Sequence, residues 1–295
     1  MSDPIQALKD LQPTKKFFIG IDSDGCAFDT MEPKHKECFC PNFVKYFKLA
    51  AVSRYTREAW DFVNLYSRTR GCNRFLAVVD VLKLLEERAE VKARGIAIPK
   101  APQLAAWLKR ETKLGNPALK AEVEKTKDPE LTNLLAWSIA VNHMVDEIVG
   151  DGVPPFPFVR DSLEKALPQA DMLVVSQTPT AALEREWANQ GIAKFVRKIA
   201  GQELGTKTEH LTFAAKGKYA PEKILMIGDA WGDRKAAAAN GALFYPILPG
   251  AEVPCWDRFF HEALDRFFAG TYQGAYEAAL IKDLEKALPE LPPWR

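Results

Sequence analysis

Five mostly apolar residues, Phe17-Phe-Ile-Gly-Ile21, run straight into Asp22-Ser-Asp24-Gly25. The run is too short and too rich in β-formers for a helix, so it reads as a buried strand of a parallel sheet. In open α/β sheets the ligand crevice lies at the carboxyl ends of the strands, which is where Asp22 and Asp24 fall. Two like charges at a buried strand end repel, so the pair needs a cation or a proton between them. An ordinary strand followed by an Asp-Gly turn would give the same letters, and this stretch alone leaves both readings open.

The character of the chain changes after Thr30. From about His35 to Val149 the apolar residues recur at helical spacing, and no convincing strand interrupts them. Helices are expected over 43–49, 59–66, 75–85, 99–112, 117–125 and 129–148, several of them opening on proline. The charge-rich stretch 86–94 reads as a solvated helix end. Gly150-Asp-Gly-Val-Pro-Pro-Phe-Pro157 is a turn-rich exit from this region. Strand and helix then alternate. Strands are expected at 172–175, 195–199, 224–229 and 243–247, with helices over 159–166, 183–190 and 234–240 between them and closing helices over 256–268 and 276–288. Such alternation implies a Rossmann-like, doubly wound parallel sheet. The expected division is therefore a discontinuous α/β core, 1–32 and 152–295, with an inserted all-α cap domain, 33–151.

Composition narrows the function classes. The 40 basic and 39 acidic residues nearly cancel, which argues against a general nucleic-acid binder. No apolar run approaches membrane-spanning length, and the N-terminal stretch lacks the apolar core of a signal peptide. Cys26, Cys38, Cys40, Cys72 and Cys255 are odd in number and lack framework spacing, so reduced thiols in a cytoplasmic protein are the simplest account. His35, Cys38 and Cys40 find no second cluster that would complete a tetrahedral metal site. The first strand leads to Asp-Ser-Asp-Gly rather than to a Gly-x-Gly-x-x-Gly turn, which disfavours a dinucleotide-binding domain.

Four polar clusters fall at or just beyond strand ends: Asp22 with Asp24, Ser176, Lys207, and Asp229 with Asp233. With Asp22-Ser-Asp-Gly-Cys-Ala-Phe-Asp-Thr30, Val174-Val-Ser-Gln-Thr-Pro179, Lys207 and Ile227-Gly-Asp-Ala-Trp-Gly-Asp233 in this order, the chain resembles the haloacid dehalogenase superfamily, in its branch with a helical cap inserted after the first motif. The resemblance implies a phosphatase that hydrolyses a small phosphorylated metabolite. Asp22 would be the nucleophile, since a carboxylate can attack phosphorus and split hydrolysis into two steps. Asp24 would be the general acid and base. Mg²⁺, a hard ion that favours carboxylates and phosphate oxygens, would be held by Asp22, the main-chain carbonyl of Asp24, Asp229 and Asp233. Ser176 and Lys207 would bind the phosphoryl oxygens. The acid at Asp24 favours phosphoryl transfer over dehalogenation, which has no leaving oxygen to protonate.

Each assignment has a structural rival. Ser176 could cap the following helix, and Asp233 could complement a helix dipole. Thr208 stands where the family usually has proline after its lysine, and Lys216 and Lys218 lie nearby; the loop-to-helix setting of Lys207 makes it the preferred candidate. Lys45 or Lys48 could be proposed as a Schiff-base lysine of the phosphonate-cleaving branch, but a solvated helix face is the simpler reading. For substrate specificity the candidates are Arg68, Arg70, Asn73 and Arg74, clustered around a glycine between two helices of the insertion, because arginine forks suit carboxylate or phosphate groups. Surface charge on an interhelical turn is the alternative. Hinges for cap motion are expected at 30–33 and 150–157. Trp231 would line the entrance or simply pack. A phosphomutase using the same residues, and a non-catalytic binding protein on this fold, are the competing functional readings.

Overall fold

The computed structural model describes residues 5–150 and 152–295; Asp151, inside the second expected hinge, lies outside the described residues. The chain forms two compact units. One contains the described residues of 1–30 and 151–288, and the other those of 31–150 together with 289–295.

The first unit is built on a five-stranded, wholly parallel sheet in the order β3-β2-β1-β4-β5. The strands are β1 (Phe17–Ile21), β2 (Ala170–Val175), β3 (Lys198–Ala200), β4 (Ile224–Gly228) and β5 (Leu243–Pro246). Alternate side chains of each strand enter different cores, as the two-residue period requires. Phe17, Ile19 and Ile21 join Met172, Val174, Leu225, Ile227 and Tyr245 on one face. Phe18, Leu173, Val175, Met226 and Phe244 lie in the other core. Helices cover both faces. Val159–Ala166 and Thr180–Asn189 contribute Leu163, Leu183 and Trp187 to the first, while Lys207–Ala214, Trp231–Ala239 and Ala275–Ala287 contribute Leu211, Ala236 and Leu284 to the second. That two-sided burial explains why the strands read as continuous apolar runs.

The expected strand at 195–199 is displaced. Ala193–Phe195 forms a short 3₁₀ turn, and pairing with β2 begins only at Lys198.

The second unit contains only helices among its described residues. Its core gathers Phe43, Trp60, Phe75, Trp107 and Trp137, with Trp60, Trp107 and Trp137 all fully buried. Lys34–Phe39 is a π-helical segment leading into the helix Cys40–Tyr46. Two details differ from expectation. The stretch 86–94 is not wholly solvated: Arg88 is buried between the rings of Tyr55 and Trp294, 4.6 and 4.5 Å from their centres. Consequently the division 152–295 ends too late, because Pro289–Arg295 belongs to the helical unit, where Trp294 packs edge-on against Phe62. No helix among the described residues is long and apolar enough to cross a membrane.

Candidate active site

The site lies at the carboxyl edge of the sheet. Ile21 is level with Val174 of β2 and Ile227 of β4, so continuing the register sets Ser23, Ser176 and Asp229 abreast just beyond the strands. The Asp22 amide still donates to the Ile227 carbonyl, at 3.0 Å, which fixes this residue at the last rung. The chain then turns sharply. The amides of Ala27 and Phe28 both donate to the Ser23 carbonyl, Gly25 donates to Phe28, and Gly25 itself has φ +72°. A β-carbon would strain that left-handed conformation, so the glycine after Asp24 is a requirement of the turn. The indole N–H groups of Trp187 and Trp256 donate to the Ser23 hydroxyl and the Cys26 carbonyl, fastening the loop to the core at 2.9 and 2.8 Å.

Asp22, Asp229 and Asp233 are all buried, and an oxygen of each lies within 4.8 Å of the others. Lys207 stands among them, its Nζ 2.7 Å from Asp22 Oδ2 and 2.6 Å from Asp233 Oδ1. Its reach follows from packing one turn away. Leu211, four residues after Lys207, lies on the same helix face and presses on Gly20, where a β-carbon would come within 3.0 Å of Leu211 Cδ2. Four helical residues advance about 6 Å, nearly the rise of the two strand residues from Gly20 to Asp22. The missing side chain at Gly20 therefore lets the helix approach closely enough for Lys207 to meet the strand end. The helix itself is started by a reciprocal cap between Thr206 and Glu209.

Asp233 is fixed as firmly. Its Oδ2 accepts the Ala230 amide at 3.1 Å, and its carboxyl lies where a β-carbon on Gly228 would be, 2.4 Å from Asp233 Cγ. Burial drives the carboxyls of Asp22 and Asp233 upward; Lys207 opposes this, while the neighbouring acids reinforce it. The same two acids hold the Lys207 ammonium well above its usual range despite burial. Three buried acids thus crowd one ammonium, and ionising them together calls for further positive charge. Hard oxygen donors this close together suit a divalent cation such as Mg²⁺.

Asp24, two residues on from Asp22, is half-buried, its two oxygens accepting hydrogen bonds from the hydroxyls of Thr30 and, at 2.6 Å, Thr178. Neither threonine was singled out from the sequence, although both lie inside the quoted motifs; a hydroxyl six residues after the acid was the available signal. Ser176 is buried and accepts the Thr178 amide at 3.2 Å. It does not cap the next helix, whose first residue, Thr180, gives its amide and hydroxyl to Glu203. Lys216 and Lys218 point elsewhere. The first donates to the Ala239 carbonyl, and the second to the carbonyls of Leu8, Lys9 and Leu11.

The candidate specificity residues are engaged within the helical unit. Arg70, buried, donates to the Leu65 carbonyl at 2.8 Å. Asn73 caps the helix Arg74–Glu87 through the Phe75 amide. Arg74 donates to Ser138 and to Asn142 Oδ1, and its guanidinium lies 4.7 Å from the Phe39 ring centre. Arg68 pairs with Glu290 at 3.2 Å. Trp231 is buried beneath the Arg234 guanidinium.

No protein-family model matches the sequence, and no curated protein matches it. Solved structures do resemble it. A haloacid dehalogenase-like hydrolase from Streptococcus pneumoniae is 16% identical, with TM-score 0.41, over 83% of this chain and 92% of its own. A haloacid dehalogenase-like family hydrolase from Xanthomonas campestris is 12% identical, with TM-score 0.44, over 90% and 98%. A beta-phosphoglucomutase from Clostridium difficile is 13% identical, with TM-score 0.46, over 85% and 96%. At such identities no neighbour's activity or substrate transfers to this chain.

Proposed function

We propose that this chain is a phosphatase of the haloacid dehalogenase superfamily, hydrolysing a small phosphorylated metabolite with Mg²⁺ through an aspartyl-phosphate on Asp22. The observation that carries this reading is the gathering of Asp22, Asp229 and Asp233 at the carboxyl edge of the sheet, with Lys207 paired to Asp22 and Asp233. A phosphate ester placed there meets a carboxylate nucleophile and a fixed positive charge for its oxygens. Asp22, Asp229, Asp233 and the Asp24 carbonyl would hold the Mg²⁺, which when bound supplies the remaining charge neutralisation.

Asp22 attacks phosphorus, the bond from phosphorus to the ester oxygen breaks, and the leaving oxygen takes the proton of Asp24. Asp24 then removes a proton from water, which attacks the aspartyl-phosphate and frees Asp22 and inorganic phosphate. Thr30 and Thr178 suit this exchange, because a hydroxyl donates to the carboxylate and can turn to accept from the acid. Ser176 and Lys207 are the proposed phosphoryl contacts. All five cysteines are free, four of them buried, which supports a reducing, cytoplasmic setting.

The test is phosphate release from a panel of small phosphate esters, with Mg²⁺ and with chelator. Asp22→Asn is expected to lower turnover roughly 10⁴-fold or more. Robust turnover by Asp22→Asn sinks the assignment. Phosphoryl transfer between substrate positions without phosphate release identifies a mutase instead.

A further inference from the structure

Among the described residues the chain passes between its two units not twice but three times: after Thr30, near residue 150, and again between Leu288 and Pro289. The third passage has no slack. Leu288 is fully buried in the core of the sheet unit, and the carbonyl of the very next residue, Pro289, accepts the Arg68 amide of the helical unit at 3.2 Å. Beyond it the tail is fastened by unlike contacts. Glu290 pairs with Arg68, Trp294 stacks on the buried Arg88 and meets Phe62 edge-on, and Arg295 pairs with Glu87.

We infer that Pro289–Arg295 is a strap that limits movement of the helical unit relative to the sheet unit. Two chain passages permit hinge motion, whereas a third with no spare residue restricts it while the tail stays docked. The fastening suits release. The Arg68–Glu290 pair is exposed on both sides and contributes little, so the aromatic clasp of Trp294 on Arg88 is the principal anchor. One local transition, detachment of the segment Pro289–Arg295, separates a restrained molecule from a freely hinged one. This inference stands whether or not the chain is a phosphatase.

The test reads the distance distribution between spin labels at Lys125→Cys, exposed on the helical unit, and Glu222→Cys, exposed on the sheet unit. The background is the full chain with Cys72→Ser, the other four cysteines being buried. A chain ended after Leu288 is expected to give a broader distribution than the full chain, with helical content retained by circular dichroism. An unchanged width in that shortened, folded chain overturns the strap. If the shortened chain does not fold, the full chain carrying Glu290→Arg and Trp294→Ala decides the question in the same way: a broader distribution supports the strap, and an unchanged one overturns it.

Discussion

Two stretches look alike in the sequence, as clusters of charge around a glycine: Asp22–Gly25 and Ser67–Arg74. Their structures divide them. At the strand ends the charges meet one another, with Asp22, Asp229 and Asp233 gathered within reach of a single ion and Lys207 paired to two of them. In the helical turn the charges are spent. Arg70 and Arg74 donate to carbonyls and polar side chains of their own unit, and Arg68 serves the strap. An arginine that closes an interhelical turn needs the same fork as one that binds a carboxylate, so residue type cannot separate them. What separates the two is whether the fold gathers like charges together or disperses them among local partners.

The most forceful way to break this contrast is Lys207→Met. It takes the ammonium from buried Asp22 and Asp233 and is expected to cost about 3–5 kcal/mol in urea unfolding without Mg²⁺. A variant as stable as the parent in chelator would mean that the acids are not mutually strained.

Acid should distinguish the units next. His210, on the same helix as Lys207, is fully buried; burial, reinforced by the Lys207 charge, lowers its pKa to about 4. A base depressed in the folded state stays neutral there while the unfolded chain takes up a proton near its ordinary value of about 6.5. Stability is therefore full above that pH and declines between about 6.5 and 4, by about 3 kcal/mol for this residue. Hydrogen exchange should show the sheet unit loosening first, and His210→Gln should flatten the decline. Loosening that begins in the helical unit contradicts the assignment.

The smallest expected effect belongs to Arg74→Met, which removes hydrogen bonds to Ser138 and Asn142 and should cost about 2 kcal/mol of stability. The KM for the preferred ester should stay within about twofold, a change below 0.5 kcal/mol. A large rise in KM with an unchanged melting temperature would restore the substrate-facing reading of this turn.

Much of the sheet unit was legible because a strand buried on both faces leaves an unbroken apolar run, and β1 and β4 each deliver their acids immediately afterwards. Lys207 could be placed at a helix start, but not beside Asp22, because its reach depends on Leu211 settling against Gly20. Arg88 looked solvated for a related reason: the indole that covers it comes from the far end of the chain. Two of the four specificity candidates show the same limit. Ser138 and Asn142, the partners of Arg74, and Glu290, the partner of Arg68, are distant in sequence, and only tertiary packing pairs them. Arg70 and Asn73, by contrast, bond to Leu65 and Phe75 within their own turn.

Gly228 has no unusual torsion, yet it holds open the space in which the Asp233 carboxyl lies. Tolerance to replacement at this position is governed by a neighbour's carboxylate rather than by its own backbone. Alanine, the mildest change elsewhere in a strand, already collides there with the acid that holds Lys207. A residue with no side-chain group of its own is thus as constrained by the acid cluster as the acids themselves, and a survey of variants would group it with the aspartates rather than with the glycines of turns.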